Sequence, residues 1–193
     1  MSESPDMRDV ALSMVRTIEP LDALEVEHQQ AVIDWISSGA EVFRTAKPAT
    51  PPKHLVSYCV LVDSERRRVF LVDHRDAQLW LPTGGHVEPE EHPARAASRE
   101  MNEELAIEPD FLPAIGPRPL LVTQTETVGV SKSHTDVSLW FAFEGSEGDA
   151  LTPDEGEFAD ARWWNFDGIV HGPETRFDPH LPRFVEKLRR LLA

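Results

Sequence analysis

Apolar positions recur along this chain at two periods, and the change from one to the other divides it. Between Arg8 and Arg44 the spacing is helical. Val10, Met14, Val15 and Ile18 form one stripe, Pro20 interrupts it, and Leu24, Ala31, Val32, Trp35 and Ile36 form a second. Ser37-Ser38-Gly39 ends that stripe in the manner of a C-terminal glycine cap. The proline-rich stretch from Pro48 to Pro52 then marks a boundary. Residues 1–47 therefore read as a helical extension and 53–193 as the main domain. An apolar stripe left in water is costly, so the extension must pack on the domain or on a second copy of the chain. The second option makes a homodimer one expectation.

From His54 the period becomes that of strands. Leu55–Val62 and Val69–Val72 flank a charged turn, Ser64 to Arg68, as in an antiparallel hairpin. Leu79-Trp80-Leu81 is a short strand running into a loop, Pro82-Thr83-Gly84-Gly85. Ala94 to Glu104 reads as a helix stopped near Pro109. Leu120–Val128, Val137–Phe143 and Ala161–Phe166 complete the strands, and Pro182–Leu192 closes as a basic amphipathic helix. This order predicts an α/β domain with a mixed sheet and helices on its faces. No repeat of solenoid or propeller period is present.

Composition narrows the function. The 193 residues carry 34 acidic and 19 basic side chains, a formal net charge of −15, which argues against extended nucleic acid as a partner. Apolar residues at 40% suffice for one core, so a wholly disordered chain is excluded. The single cysteine, Cys59, cannot close a disulfide within the chain and sits in an apolar strand, where it reads as inert core. The first residues are polar and acidic, and no apolar run approaches membrane-spanning length, so a cytoplasmic protein without a membrane partner is expected.

The negative charge is unevenly spread. Gly85 to Ile107 holds six acids and two bases, and Glu144 to Asp160 holds seven acids and no base. In the first stretch Glu100, Glu103 and Glu104 fall on one helix face, where like charges repel unless something neutralises them. Hard oxygen ligands of this kind suit Mg²⁺ or Mn²⁺, which keep waters for phosphate substrates; a solvated acidic face is the plainer alternative. Gly84 and Gly85 allow close backbone approach to such a site. Glu91 and Arg99 are suited to a bidentate pair across the loop–helix junction.

The run Gly85-x₅-Glu91-x₇-Arg99-Glu100-Met101-x-Glu103-Glu104-x-Ala106-Ile107 resembles the signature of the Nudix hydrolases, which cleave nucleoside diphosphates linked to another group. Two positions depart: Ala106 stands where the family has glycine, and Glu90 where many relatives have it. Leu79 to Gly85 resembles the entry to that motif. His134 to Phe141, Asp154-Glu155-Gly156-Glu157 and Arg162-Trp163-Trp164 resemble the later strands and acidic loop of the MutT-type nucleotide pyrophosphohydrolase branch. The resemblance spans His54 to the C-terminus and leaves the first 45 or so residues uncovered.

The resemblance implies a Nudix-like α/β/α sandwich and a pyrophosphohydrolase acting on a nucleotide, a (d)NTP or an oxidised purine nucleotide being one reading. It implies that Glu100, Glu103 and Glu104, helped by the backbone of Gly84, hold Mg²⁺ or Mn²⁺, with Gly85, Glu91 and Arg99 shaping the motif. Catalytic roles fall to Glu100, Glu103 and a later loop carboxylate, Glu155 first and Glu157 second, with Glu88 close by. Arg75, Trp80 and His134 are candidate substrate contacts, each with a plainer reading: solvent exposure, core packing and a strand cap. Relatives that select guanine use an asparagine near the last helix, whereas this chain has only Asn102 and Asn165. Two other functions share the fold. An isopentenyl-diphosphate isomerase would need a catalytic cysteine, and Cys59 lacks the context. A nucleotide sensor without catalysis would usually have lost the carboxylates that are intact here.

Overall fold

Capping side chains set where the N-terminal helices begin. The computed structural model describes residues 5–47, 49–127, 134–172, 174 and 176–193. Helix α1 (Met7–Arg16) starts where the Asp6 carboxylate accepts from the amide of Arg8. Helix α2 (Ala23–Ser37) starts where Asp22 accepts from the amide of Glu25. Its exit uses Gly39 in the left-handed region, φ +80°, as the glycine cap predicted. The helical spacing read as far as Arg44 does not continue past it. Residues 40–45 are irregular instead, with Val42 and Phe43 buried and the carbonyl of Val42 bound by the amide of Leu55 at 2.8 Å.

The predicted hairpin is present as β1 (Lys53–Asp63) and β2 (Arg68–His74), with the Asp63 carboxylate accepting from the amides of Arg66 and Glu147. Strand β3 (Leu79–Leu81) follows. The glycine loop read after it is largely a fourth strand, β4 (Thr83–His86), paired antiparallel with β1. Its glycines hid it, because strand propensity rests on side chains that they lack. Then come α3 (Pro93–Leu105), β5 (Leu121–Thr127), β6 (His134–Glu144) and β7 (Phe158–Asn165). Phe166, read as the end of the last strand, instead starts a helix, α4 (Phe166–His171), because the Asn165 side chain caps the amide of Gly168. Helix α5 (Leu181–Leu191) ends the chain. Pro48 and Val128, which figured in the predicted boundary and strand, lie outside the described residues.

The sheet runs β3-β2-β1-β6-β5, with β4 added to β1 and β7 to β2. Strands β1 and β6 run parallel and the other pairings are antiparallel, so the sheet is mixed. Side chains of β1 alternate between two cores. Leu55, Cys59 and Leu61 join Met101 and Leu105 of α3 and Val15, Val32 and Ile36 of α1 and α2. Val60 and Val62 join Trp140, Phe166, Phe184 and Leu188 under α4 and α5. Helices thus cover both faces of the sheet, which is the α/β/α sandwich. Burial on both faces also explains why β1 reads as a nearly unbroken apolar run. Among the described residues no helix is long and apolar enough to cross a membrane.

The stripes of α1 and α2 are covered by the chain's own core, and a buried ion pair secures them. Lys187 of α5 reaches Glu25 of α2 at 2.7 Å and donates to the carbonyl of Glu19 at 2.7 Å. Both side chains are nearly inaccessible, at 3% for Glu25 and 7% for Lys187. Removing the cation would strand a buried carboxylate. Lys187→Met should cost about 3 kcal/mol in urea unfolding, and adding Glu25→Gln should restore much of it.

Asp178, just before α5, is buried, and its carboxylate accepts from the amide of His180 at 2.8 Å. Burial pushes its pKa up from 3.8 to about 6. Between these values the folded protein binds more protons than the unfolded chain, so stability falls as pH rises from about 4 through about 6. Asp178→Asn keeps the cap without the charge. It should be more stable than the parent by on the order of 1–2 kcal/mol near pH 8 and no more stable near pH 4, as thermal or urea unfolding at the two pH values will show.

Candidate active site

Small side chains let α3 lie close on the sheet. Ala94, Ala97, Met101 and Leu105 are buried toward β1, and the Ser57 hydroxyl donates to the carbonyl of Pro93 at 2.9 Å. Pro93 fits the first turn, where its missing N–H is not needed. With this face committed, the helical period brings Glu100 and Glu104 toward the glycines of β4. Glu104 Oε2 accepts from the amide of Gly84 at 2.9 Å. Gly85 lies so near the Glu100 carboxylate that a Cβ there would overlap it. The close approach expected of the two glycines is therefore made to both carboxylates.

Arg99 organises the rest. Its Nε and Nη2 grip Glu91 in a fork, both at 3.0 Å, and Nη2 also donates to the carbonyl of His86 at 3.1 Å. Its Nη1 meets Glu100 at 2.6 Å and Glu103 at 3.1 Å. The Glu91 end closes the loop, since its carboxylate accepts from the amide of Glu88 at 3.1 Å. One guanidinium thus holds the loop, the end of β4 and two helix carboxylates together. Pairing with Glu91, and then with Glu100, holds the Arg99 charge on more firmly than usual.

Glu104 lies beyond that cation's hydrogen bonds. Burial foremost, with Glu100, Glu157 and Asp154 adding repulsion, pushes its pKa to about 8 against the pull of the Gly84 amide. Burial also raises Glu100, outweighing its contact with Arg99. Glu103 is at the rim, its side chain 57% exposed. A buried and a half-buried carboxylate with raised pKa values, and a third at the rim, form a site with an unmet demand for positive charge.

The later acidic loop folds back on the same region. The amide of Thr152 binds the carbonyl of Leu105 at 3.0 Å, and the amide of Asp154 binds that of Glu104 at 3.1 Å. Glu157 and Asp154 act electrostatically on Glu104. Glu155 offers its backbone carbonyl to Arg75 Nε at 3.3 Å, while the Arg75 amide binds the carbonyl of Glu157 at 3.0 Å. Arg75 braces the loop.

Trp80 needs a correction as a substrate contact. It is 2% exposed in the core beneath α4 and α5, packed edge-on against Trp164, with the Arg162 guanidinium over its ring at 4.5 Å. Its ring is already covered, so no base can stack there. Trp140 is likewise buried against Phe184. His134 is 3.4 Å from Asp136 and stacked on His54. His54, His86 and Asp136 form a cluster that sequence spacing does not reveal, because the parallel register of β1 on β6 sets His54 against Asp136.

Comparison with known proteins agrees with the fold. The family model described as the NUDIX domain matches residues 52–188. Among solved structures, a NUDIX-family hydrolase from Clostridium perfringens is 20% identical, covering 72% of this chain and 97% of that one at a TM-score of 0.55. The dihydroneopterin triphosphate pyrophosphohydrolase of E. coli is 15% identical over 79% of this chain and 98% of its own, with a TM-score of 0.54. The NUDIX domain of Shewanella oneidensis NrtR, solved with ADP ribose, is 16% identical over 83% and 97%, with a TM-score of 0.55. No curated protein matches the sequence.

The two departures from the resembled signature now have a physical meaning. Glu90 and Ala106 both adopt left-handed backbone, φ +65° and +56°, the conformation that glycine enters without strain. Ala106→Gly and Glu90→Gly should each therefore stabilise the protein by about 0.5–1 kcal/mol, measured by urea unfolding.

Proposed function

The chain belongs to the NUDIX family and is a Nudix-type pyrophosphohydrolase, and from that premise we propose that it hydrolyses the pyrophosphate bond of a nucleotide of the MutT-type substrate class with Mg²⁺ or Mn²⁺ held by Glu100, Glu103 and Glu104. One observation carries this reading: the buried Glu100 and the half-buried Glu104 carboxylates close on the Gly84–Gly85 backbone with raised pKa values, and the only side chain hydrogen-bonded to either among the described residues is Arg99. A hard divalent cation fits this oxygen set better than a thiolate- or imidazole-seeking one. When bound, the metal supplies charge neutralisation for the pyrophosphate and lowers the pKa of water.

The chain's own residues then have separable tasks. Glu91 fixes the Arg99 fork, and Arg99 sets the positions of Glu100 and Glu103. The Gly84 amide orients Glu104. For the proton acceptor we favour Glu157, whose charge helps raise the pKa of Glu104, with Glu155 of the same loop as the second candidate. No residue of the described site points to a particular base. Asn165, one of the two asparagines, is occupied as the cap of α4. The substrate panel therefore spans (d)NTPs and oxidised purine nucleotides. It also takes in the ligands of the structural relatives, a pterin triphosphate and ADP ribose.

Release of phosphate or pyrophosphate from this panel should depend on Mg²⁺ or Mn²⁺. Glu104→Gln should lower kcat at least about a hundredfold while leaving the fold intact by circular dichroism. Turnover that persists in excess chelator, or in Glu104→Gln, would overturn the assignment.

A further inference from the structure

A second set of ligand-type side chains meets where β4 leaves the sheet. His54 near the start of β1, His86 at the end of β4 and Asp136 in β6 come from three strands, and their ligand atoms all lie within 4.8 Å of one another. None belongs to the glutamate face. The sheet itself assembles them, since His54 is in register with Asp136 and Val56 with His86.

His54 is wholly inaccessible to solvent. Its Nδ1 lies 2.8 Å from the carbonyl of Pro51, a contact that requires the proton on Nδ1. The neutral ring therefore carries its lone pair on Nε2. That atom is 3.3 Å from Asp136 Oδ1, yet neither atom has a hydrogen-bond partner among the described residues. With the ring neutral, this buried nitrogen and the carboxylate oxygen facing it would both be unsatisfied and would repel each other. The His86 ring stands 4.8 Å from that of His54, and a further imidazole nitrogen, His134 Nε2, is 3.4 Å from the same Asp136 oxygen. A carbonyl bound to the far nitrogen of a histidine is the arrangement that orients a metal-ligating imidazole.

We propose that His54, His86 and Asp136 form a binding site for a borderline divalent transition-metal ion of the Zn²⁺ class, separate from the glutamate face. Two imidazoles and one carboxylate select such an ion over Mg²⁺, which prefers an all-oxygen shell. The ion would satisfy the two orphaned atoms and tie three strands together. It would also hold the end of β4, whose His86 carbonyl is bound by Arg99, and so stiffen the strand that presents Gly84 and Gly85.

Calorimetric titration with Zn²⁺ in excess Mg²⁺ tests this on the full chain, using Glu104→Gln as the parent so that the glutamate face is weakened. One Zn²⁺ per chain is expected, together with a rise in Tm. His86→Gln and Asp136→Asn in that background should each weaken binding at least about tenfold and abolish most of the Tm rise. His86 is only partly buried, so its replacement leaves the core unaltered, and circular dichroism will verify the fold. Zn²⁺ binding that is unchanged by His86→Gln would place the ion elsewhere and overturn the proposal. So would an absence of binding. Neither result bears on the Mg²⁺ dependence of hydrolysis, which is read in a separate assay.

Discussion

Arg99 stands between an acidic helix face and an acidic loop that would otherwise repel each other, and ties both to a strand. Its guanidinium meets Glu91 of the loop, Glu100 and Glu103 of α3 and the backbone of His86 at the end of β4. A lysine could not do this, because only a planar fork can grip one carboxylate with two parallel bonds and still direct a third nitrogen elsewhere. The arrangement neutralises part of the acidic segment and leaves Glu104 outside its hydrogen bonds. The resulting imbalance, buried negative charge with too little positive charge to match, is the property on which a metal-dependent reaction can draw.

That imbalance is sustained by packing. Helix α3 is pressed on the sheet by alanines and by Met101 and Leu105, so its acidic side has no freedom to swing into water. The acidic loop is tied to the end of the same helix by two backbone hydrogen bonds, which bring Asp154 and Glu157 toward Glu104. The net charge of −15 is thus partly concentrated at one site. Repulsion there is offset by apolar burial elsewhere, including the two N-terminal helices that complete the core on the same face of the sheet as α3.

Much of this was legible along the chain because it depends on near neighbours. The face shared by Glu100, Glu103 and Glu104 follows from 3.6 residues per turn, and the Glu91–Arg99 pair from the length of one loop. The hairpin of β1 and β2 followed from two apolar runs around a charged turn. Strand β4 was missed for an equally local reason: a Thr-Gly-Gly sequence carries no apolar alternation, and only its neighbour β1 makes it a strand. Trp80 illustrates the converse. An aromatic before the motif suits either base stacking or a core, and the choice was made by Arg162, Trp164 and Phe177, contributed by distant parts of the chain.

By itself the sequence determined the α/β class, the motif helix with its row of carboxylates, and the two positions where glycine is replaced. Periodicity and loop length act over a few residues, and they survive without knowledge of the rest. Tertiary structure alone decided that the acidic loop folds back on the end of α3, where the N-terminal stripes are buried, and that His54, His86 and Asp136 meet. Each of these depends on register between segments far apart in sequence. A parallel pairing such as β1 on β6 is set by the packing of the whole sheet and leaves no mark in either strand.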